Sequence, residues 1–171
     1  MQGAIDDPSW GRRNNPDAER HIARLLEHWR ARAWPVVHVQ HVSREPHSTF
    51  RPGQPGVDFK PATAPGAGEP VVVKHTPSAF AGTELTALLE AQAIGQLVLT
   101  GFITNNSVET TARVAATLGF QVRVVADATA TFDRRDLDGR LWSAEDVHAL
   151  SLSNLSGEYA TVVTTDQILD T

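Results

Sequence analysis

Four short aliphatic runs, Val71-Val72-Val73, Leu97-Val98-Leu99, Val122-Arg123-Val124-Val125 and Ala160-Thr161-Val162-Val163, recur along the chain, and between each and the next lies a stretch long enough for one helix. Runs rich in β-branched residues suit strands buried on both faces. A strand, helix, strand succession returns each strand to the sheet in the same direction, through right-handed crossovers that place helices above and below it. The alternation predicts an α/β fold: a three-layer α/β/α sandwich with a mostly parallel central sheet and Rossmann-like topology, formed by residues 1–171 as a single domain.

The remaining elements follow from their punctuation. Asn15-Pro16 reads as an N-cap followed by proline at the first helical position, and Ile22, Leu25, Leu26 and Trp29 recur at helical spacing, so a helix is expected over about 16–33. Pro35 ends it, and Val36 to Gln40 reads as a short strand. From 43 to 70 the chain is rich in Pro, Gly, Ser and Ala, a long loop of the kind that is commonly functional or disordered. Thr83 caps a helix carrying Leu85, Leu88 and Leu89, and Ser107 opens another that runs to Leu118, where Gly119 stops it. Ser143 with Asp146 makes a capping-box-like start to a helix through Leu155.

Charge narrows the partners. The net charge is −5 and there is no Lys/Arg cluster, whereas nucleic acid and acidic membranes both require a positive patch. Arg134, Arg135 and Arg140 alternate with Asp133, Asp136 and Asp138 and read as a self-compensated surface loop. No apolar run approaches the roughly 18 residues that span a bilayer, and the opening Met-Gln-Gly-Ala-Ile-Asp-Asp lacks the basic and apolar regions of a secretory signal. The expectation is a cytoplasmic protein acting on a small molecule, with no nucleic-acid or membrane partner. The sequence contains no cysteine, which excludes disulfides, thiolate metal sites and a thiol nucleophile.

In parallel α/β sheets ligands bind beyond the carboxyl ends of the strands. That rule selects Gln40-His41, Lys74-His75, Gly101 to Asn106 and Asp127 to Thr131. Lys74 follows three valines at the mouth of a buried strand, where desolvation would lower its pKa and let it relay protons; alternatively it snorkels to solvent. Ser107 stands where the first amides of a helix are unpaired and favour negative charge, a place for an attacking anion or a developing oxyanion. It is also a preferred N-cap, whose hydroxyl satisfies one of those amides. His38 and His41 fall on opposite faces of their strand, so no shared metal ion is expected there. Trp10, Phe50, Phe59, Phe80 and Trp142 read as walls of a pocket or interface, and Trp10, His41, Phe80, Asn105 and Asn106 as residues that would touch substrate.

Two blocks carry a resemblance. Val71-Val72-Val73-Lys74-His75, followed by Ser78-Ala79-Phe80 and Gly82-Thr83, and then Thr100-Gly101-Phe102-Ile103-Thr104-Asn105-Asn106-Ser107-Val108-Glu109-Thr110-Thr111-Ala112-Arg113, resemble the isochorismatase-like hydrolases, which include nicotinamidases and N-carbamoylsarcosine amidohydrolases. Pro35 to Val39 and Val124 to Thr129 fit the same pattern, so the resemblance covers nearly the whole chain. Thr131 to Glu145 is similar to bacterial members near the streptothricin hydrolases.

The resemblance implies a hydrolase acting on a small amide without a cofactor, assembled as a dimer or tetramer. It implies an Asp, Lys, Cys triad in which the carboxylate takes the thiol proton; Lys74 matches the lysine and Ser107 the cysteine position. It further implies an oxyanion hole formed by the backbone amides of Ile103 and Ser107, with a cis peptide between Phe102 and Ile103. Two departures accompany these matches. The family's aspartate lies in a first strand of the form Leu-Leu-Val-Ile-Asp-Met-Gln, of which Met1-Gln2 matches the end, so the first strand is expected to be truncated and its acid absent. Serine replaces cysteine, and a hydroxyl needs an adjacent base to become a nucleophile where a thiol ionises readily. Weak or absent activity in the chain as given is therefore expected. A silent ligand-binding or oligomer-forming role and non-covalent vinyl-ether hydrolysis of the isochorismate type are the alternatives.

Overall fold

Residues 1–170 are described by a computed structural model; Thr171, the last residue of the expected domain, lies outside the described residues. The parallel alternation is present, in two pieces. β1 (His38–His41) pairs in parallel with β2 (Val71–Lys74), His41 standing opposite Lys74. β3 (Gln96–Phe102) pairs in parallel with β4 (Gln121–Ala130), with an irregularity between Leu99 and Gly101. A two-residue hairpin, β5 (Arg134–Arg135) and β6 (Leu141–Trp142), follows, and β7 (Thr161–Val163) returns to the free edge of β4.

Among the described residues, five α-helices clothe the strands: α1 (Ala18–Ala31), α2 (Leu85–Ala91), α3 (Glu109–Thr117), α4 (Ala144–Leu155) and α5 (Thr165–Leu169). Side chains alternate across a strand, and β4 shows why both faces need cover. Val122 and Val124 pack with Leu85, Leu89, Ala112, Ala115, Leu152 and Leu155 of α2, α3 and α4. Val125 and Ala128 pack with Ile22, Leu25 and Ile168 of α1 and α5 on the opposite side. Each fully buried Val or Leu in these layers contributes ~1.5–3 kcal/mol, and the result is the three-layer α/β/α sandwich.

The two pieces of sheet do not meet. The edge of β1 that faces away from β2 and the edge of β3 that faces away from β4 pair with no strand among the described residues. Between them runs a slot lined by Val37, His38 and Val39 on one side and Val98, Leu99 and Thr100 on the other, with Ile22, Leu25, Leu26 and Trp29 of α1 along it. At its carboxyl end the Gln2 side-chain amide takes the place of a strand: it accepts from His41 N–H at 2.8 Å and donates to His41 O at 2.8 Å. Met1 lies in the slot beside it, its amine donating to Thr63 Oγ1 at 2.9 Å. Burial, and secondarily Lys60, lowers that amine's pKa to about 6.

Several boundaries differ from the sequence expectation. α1 begins at Ala18 rather than 16 because Asn15 adopts φ 43° and spends its side chain on the carbonyls of Ala126 (2.9 Å) and Thr129 (2.7 Å), strapping the end of β4 instead of capping the helix. β1 starts only at His38. α2 begins at Leu85, whose N–H donates to Thr83 Oγ1 at 3.3 Å. The long loop holds 3-10 turns at Pro55–Val57 and Pro61–Thr63. The charges of the supposed self-compensated loop look elsewhere: Asp133 pairs with Arg12 at 2.9 Å, Asp136 accepts from Trp142 Nε1 at 2.8 Å, and Arg140 lies over the Trp142 ring at 4.0 Å.

Other signals were sound. Gly119 ends α3 at φ 93°, a left-handed conformation that glycine adopts at no steric cost. Ser143 caps α4, its Oγ accepting from Asp146 N–H at 3.1 Å. Ser143→Ala is expected to cost about 1 kcal/mol, read as a lower urea midpoint with unchanged slope. No helix among the described residues is long and apolar enough to cross a membrane.

Candidate active site

Both pieces of sheet deliver their carboxyl ends to one cavity, which is continuous with the slot and together with it measures about 690 Å³. In β2 the strand alternation turns Val72 and Lys74 inward, and Lys74 is only 5% exposed. The snorkelling alternative is thereby removed. Lys74 Nζ donates to the carbonyls of Thr76 at 2.7 Å and Pro77 at 3.0 Å, and its third hydrogen meets Ser107 Oγ at 3.2 Å. Burial lowers the ammonium's pKa to about 8.

Ser107 arrives from the other piece. β3 ends at Phe102, the Phe102–Ile103 peptide is cis, and residues Thr104–Val108 form one π turn before α3, with Val108 N–H donating to Ile103 O at 3.2 Å. Single π turns of this kind are frequent at functional sites. Ser107 thus sits inside the turn rather than opening the helix, and its hydroxyl accepts from Lys74 instead of capping an amide. Ile103 lines the cavity, and among the described residues no group accepts its amide hydrogen.

The other expected site residues divide. Trp10 lines the cavity, stacked on Phe132 with centroids 5.3 Å apart and held by a 2.9 Å bond from Nε1 to Ala4 O. Phe50 stands edge-on to both Trp10 and His41, and Phe59 and Asn106 also line the cavity. His41 is there too, its pKa lowered to about 4 by burial first and then by Lys74 and His75, and its Nδ1 is buried without a partner. Phe80 does not reach the cavity: it is 7% exposed and stacks on Phe120 in the core beneath α2 and α3. Asn105 turns away as well, its Oδ1 accepting from Thr131 Oγ1 at 2.5 Å, which pins the turn to the end of β4. Trp142 sits on the outer hairpin, away from the cavity. His38 is occupied by Glu69 at 2.7 Å, a carboxylate also held by Arg30. Among the lining residues the sole carboxylate is Glu45, on the exposed part of the long loop.

Gln2 and His148 carry structural weight near the site that local reading missed. His148 had a signal: it falls on the same helical stripe as Ala144, Ser151, Leu152 and Leu155, all buried, so a polar ring was due to meet a partner inside.

Comparison with known proteins agrees with this geometry. The isochorismatase domain family matches residues 1–167. The chain is 40% identical over 170 residues to the uncharacterized isochorismatase family protein YrdC of Bacillus subtilis, spanning 99% of this chain and 91% of that one. An isochorismatase family protein of Chromobacterium violaceum, known from a crystal structure, is 54% identical and superposes with a TM-score of 0.96 over 99% of this chain and 88% of its own. Streptothricin hydrolase of Streptomyces noursei is 36% identical over 121 residues, 69% of this chain and 44% of that protein. Maleamate amidohydrolase of Pseudomonas putida is 35% identical over 112 residues, 66% of this chain and 47% of that protein. With strand ends, π turn and full-length similarity in agreement, the chain belongs to the isochorismatase family of hydrolases.

Proposed function

We propose that the cavity hydrolyses the C–N bond of a small amide, with residue 107 as the attacking position and Lys74 as its charge partner, and that the chain as given does so slowly. The 3.2 Å contact between Lys74 Nζ and Ser107 Oγ, beside the unclaimed Ile103 amide, carries this proposal. Ser107 Oγ would add to the amide carbonyl, its proton passing to a base, and the Ile103 and Ser107 amides would receive the oxyanion before the amine leaves with a proton; water would then cleave the acyl ester, releasing the acid and restoring the Ser107 hydroxyl. The similarity to a maleamate amidohydrolase supports an amide substrate. The resemblance favours a cytoplasmic homo-oligomer, whose size light scattering would measure.

Slowness follows from protonation. An ammonium donates to Ser107 and cannot take its hydrogen, whereas the neutral amine can. Because the Lys74 pKa is lowered to about 8, the neutral form gains about tenfold per pH unit below that value and levels above it. Ammonia release from a panel of small amides should show this rise, and Lys74→Met should lower the plateau by about 10²-fold or more and flatten the profile. A parent profile that is flat across pH 8 speaks against the serine and lysine pair.

One observation favours a second reading, a catalytically silent ligand-binding member: among the described residues, Glu45 is the sole carboxylate lining the cavity. Small amides would then raise the thermal midpoint without releasing ammonia. The same scarcity of acid weighs against vinyl-ether cleavage, which pyruvate release from isochorismate would reveal.

A further inference from the structure

The turn that presents Ser107 is held from behind by α4. His148 and Ser151 share the helix face that also carries Leu152 and Leu155, and all four are buried. Ser151 Oγ donates to Glu109 Oε2 at 2.6 Å, at the start of α3. His148 Nδ1 lies 2.9 Å from Thr104 Oγ1, in the first residue of the π turn, and Thr104 is wholly buried. Burial lowers the imidazole's pKa, against a smaller opposing pull from the Ala126 carbonyl of β4. A carbonyl only accepts, so the nitrogen facing Ala126 carries the ring hydrogen, and Nδ1 is left to accept from the Thr104 hydroxyl. The ring therefore stands in its neutral form between β4 and the turn, with Nδ1 engaged by Thr104. Thr104 directly follows Ile103, whose amide is unclaimed, and His148 itself does not line the cavity.

We infer that His148 is a positioning residue: buried on α4 with its Nδ1 on Thr104 Oγ1, it fixes the Ile103–Ser107 turn so that the backbone donors of that turn converge on the position of the Ser107 side chain. The inference rests on reading this turn as the oxyanion site. It gives a buried histidine outside the cavity a task that packing alone does not require, because a hydrophobic side chain would fill the same space without fixing the Thr104 hydroxyl.

The thiol introduced by Ser107→Cys reports on the turn, since converging donors depress a thiol pKa below its ordinary value of about 8.5. The pH dependence of its alkylation by iodoacetamide gives that pKa without any substrate. In this background His148→Leu is expected to raise the thiol pKa by about one unit, or about tenfold less thiolate at neutral pH. His148→Gln, which keeps a donor and an acceptor, is expected to stay near the parent. Thr104→Val removes the same bond from the other side at nearly constant volume, and is expected to reproduce the leucine shift should His148→Leu fail to fold. An unchanged thiol titration in the leucine and valine variants, or a glutamine variant that behaves like leucine, overturns the role of His148 while a depressed parental pKa leaves the site standing. A parental thiol that titrates in the ordinary range overturns the reading of the turn itself, and His148's role with it.

Discussion

Joining the segment Leu-Leu-Val-Ile-Asp ahead of Met1, together with Ser107→Cys, is expected to raise hydrolysis of a small amide by about 10²–10⁴-fold over the chain as given. Met1 lines the same cavity as Lys74 and Ser107, so a residue attached directly before it enters at the carboxyl end of the slot, close to both. A carboxylate there supplies an acceptor for the nucleophile's proton at neutral pH, where Lys74 is mostly the ammonium, and its charge is answered by that ammonium. The thiol contributes separately, because it ionises where a hydroxyl does not. Each change alone should give only part of the gain, and an Asn in place of the Asp should give almost none of the extension's share. No increase across a broad amide panel in the doubly altered protein would remove amide hydrolysis as the activity of this site.

The same extension, with Asp or with Asn, is expected to raise the thermal midpoint by about 5–15 °C, from about 2–4 kcal/mol of added stability at the 2–4 °C per kcal/mol usual for a chain of this size. The gain is what remains of ~1.5–3 kcal/mol per buried aliphatic side chain and ~1 kcal/mol per ladder hydrogen bond after ~1–2 kcal/mol per residue of ordering. Calorimetry measures the midpoint, and amide exchange locates the cause. Residues 38 and 40 of β1 face β2, and residues 97 and 99 of β3 face β4, so the Val39 and Val98 amides face the slot and should become protected. A peptide bond at Met1 also removes a buried amine. That amine's folded pKa of about 6 lies below its ordinary 8.0, so the folded chain binds less proton than the unfolded one between these values and loses stability as pH falls through them. The advantage of the extension should grow over that interval. An unchanged midpoint with Val39 and Val98 still exchanging freely would show that the slot does not accept a strand.

Layering was legible in the chain because it depends on local pattern. Val122, Val124 and Val125 announce a strand whose two faces both need cover, and Gly119 and Ser143 mark helix ends through chemistry confined to a few residues. What escaped was decided across the chain. Asn15 followed by proline satisfies every local rule for a cap, yet its amide finds two carbonyls more than a hundred residues away. Asn105 lies in the turn that holds Ser107, and Phe80 follows Lys74 closely in the sequence, but Thr131 claims the first and Phe120 the second. Lys74 and Ser107 were placed together through their motifs, while the hydrogen between them, and its direction from lysine to serine, belongs to the folded geometry. The π turn had no local signature, since Ser107 fits an ordinary cap as well as it fits the inside of a wide turn.

The slot between β1 and β3 also has a colloidal meaning. Each bordering strand offers a row of backbone donors and acceptors to any extended chain that drifts by, and such edges are the places where proteins join into aggregates. Gln2 blocks the row on β1 only at His41. How concentrated a solution can become before molecules begin to add to one another should therefore depend on whether that recess, which borders the candidate chemistry, is filled.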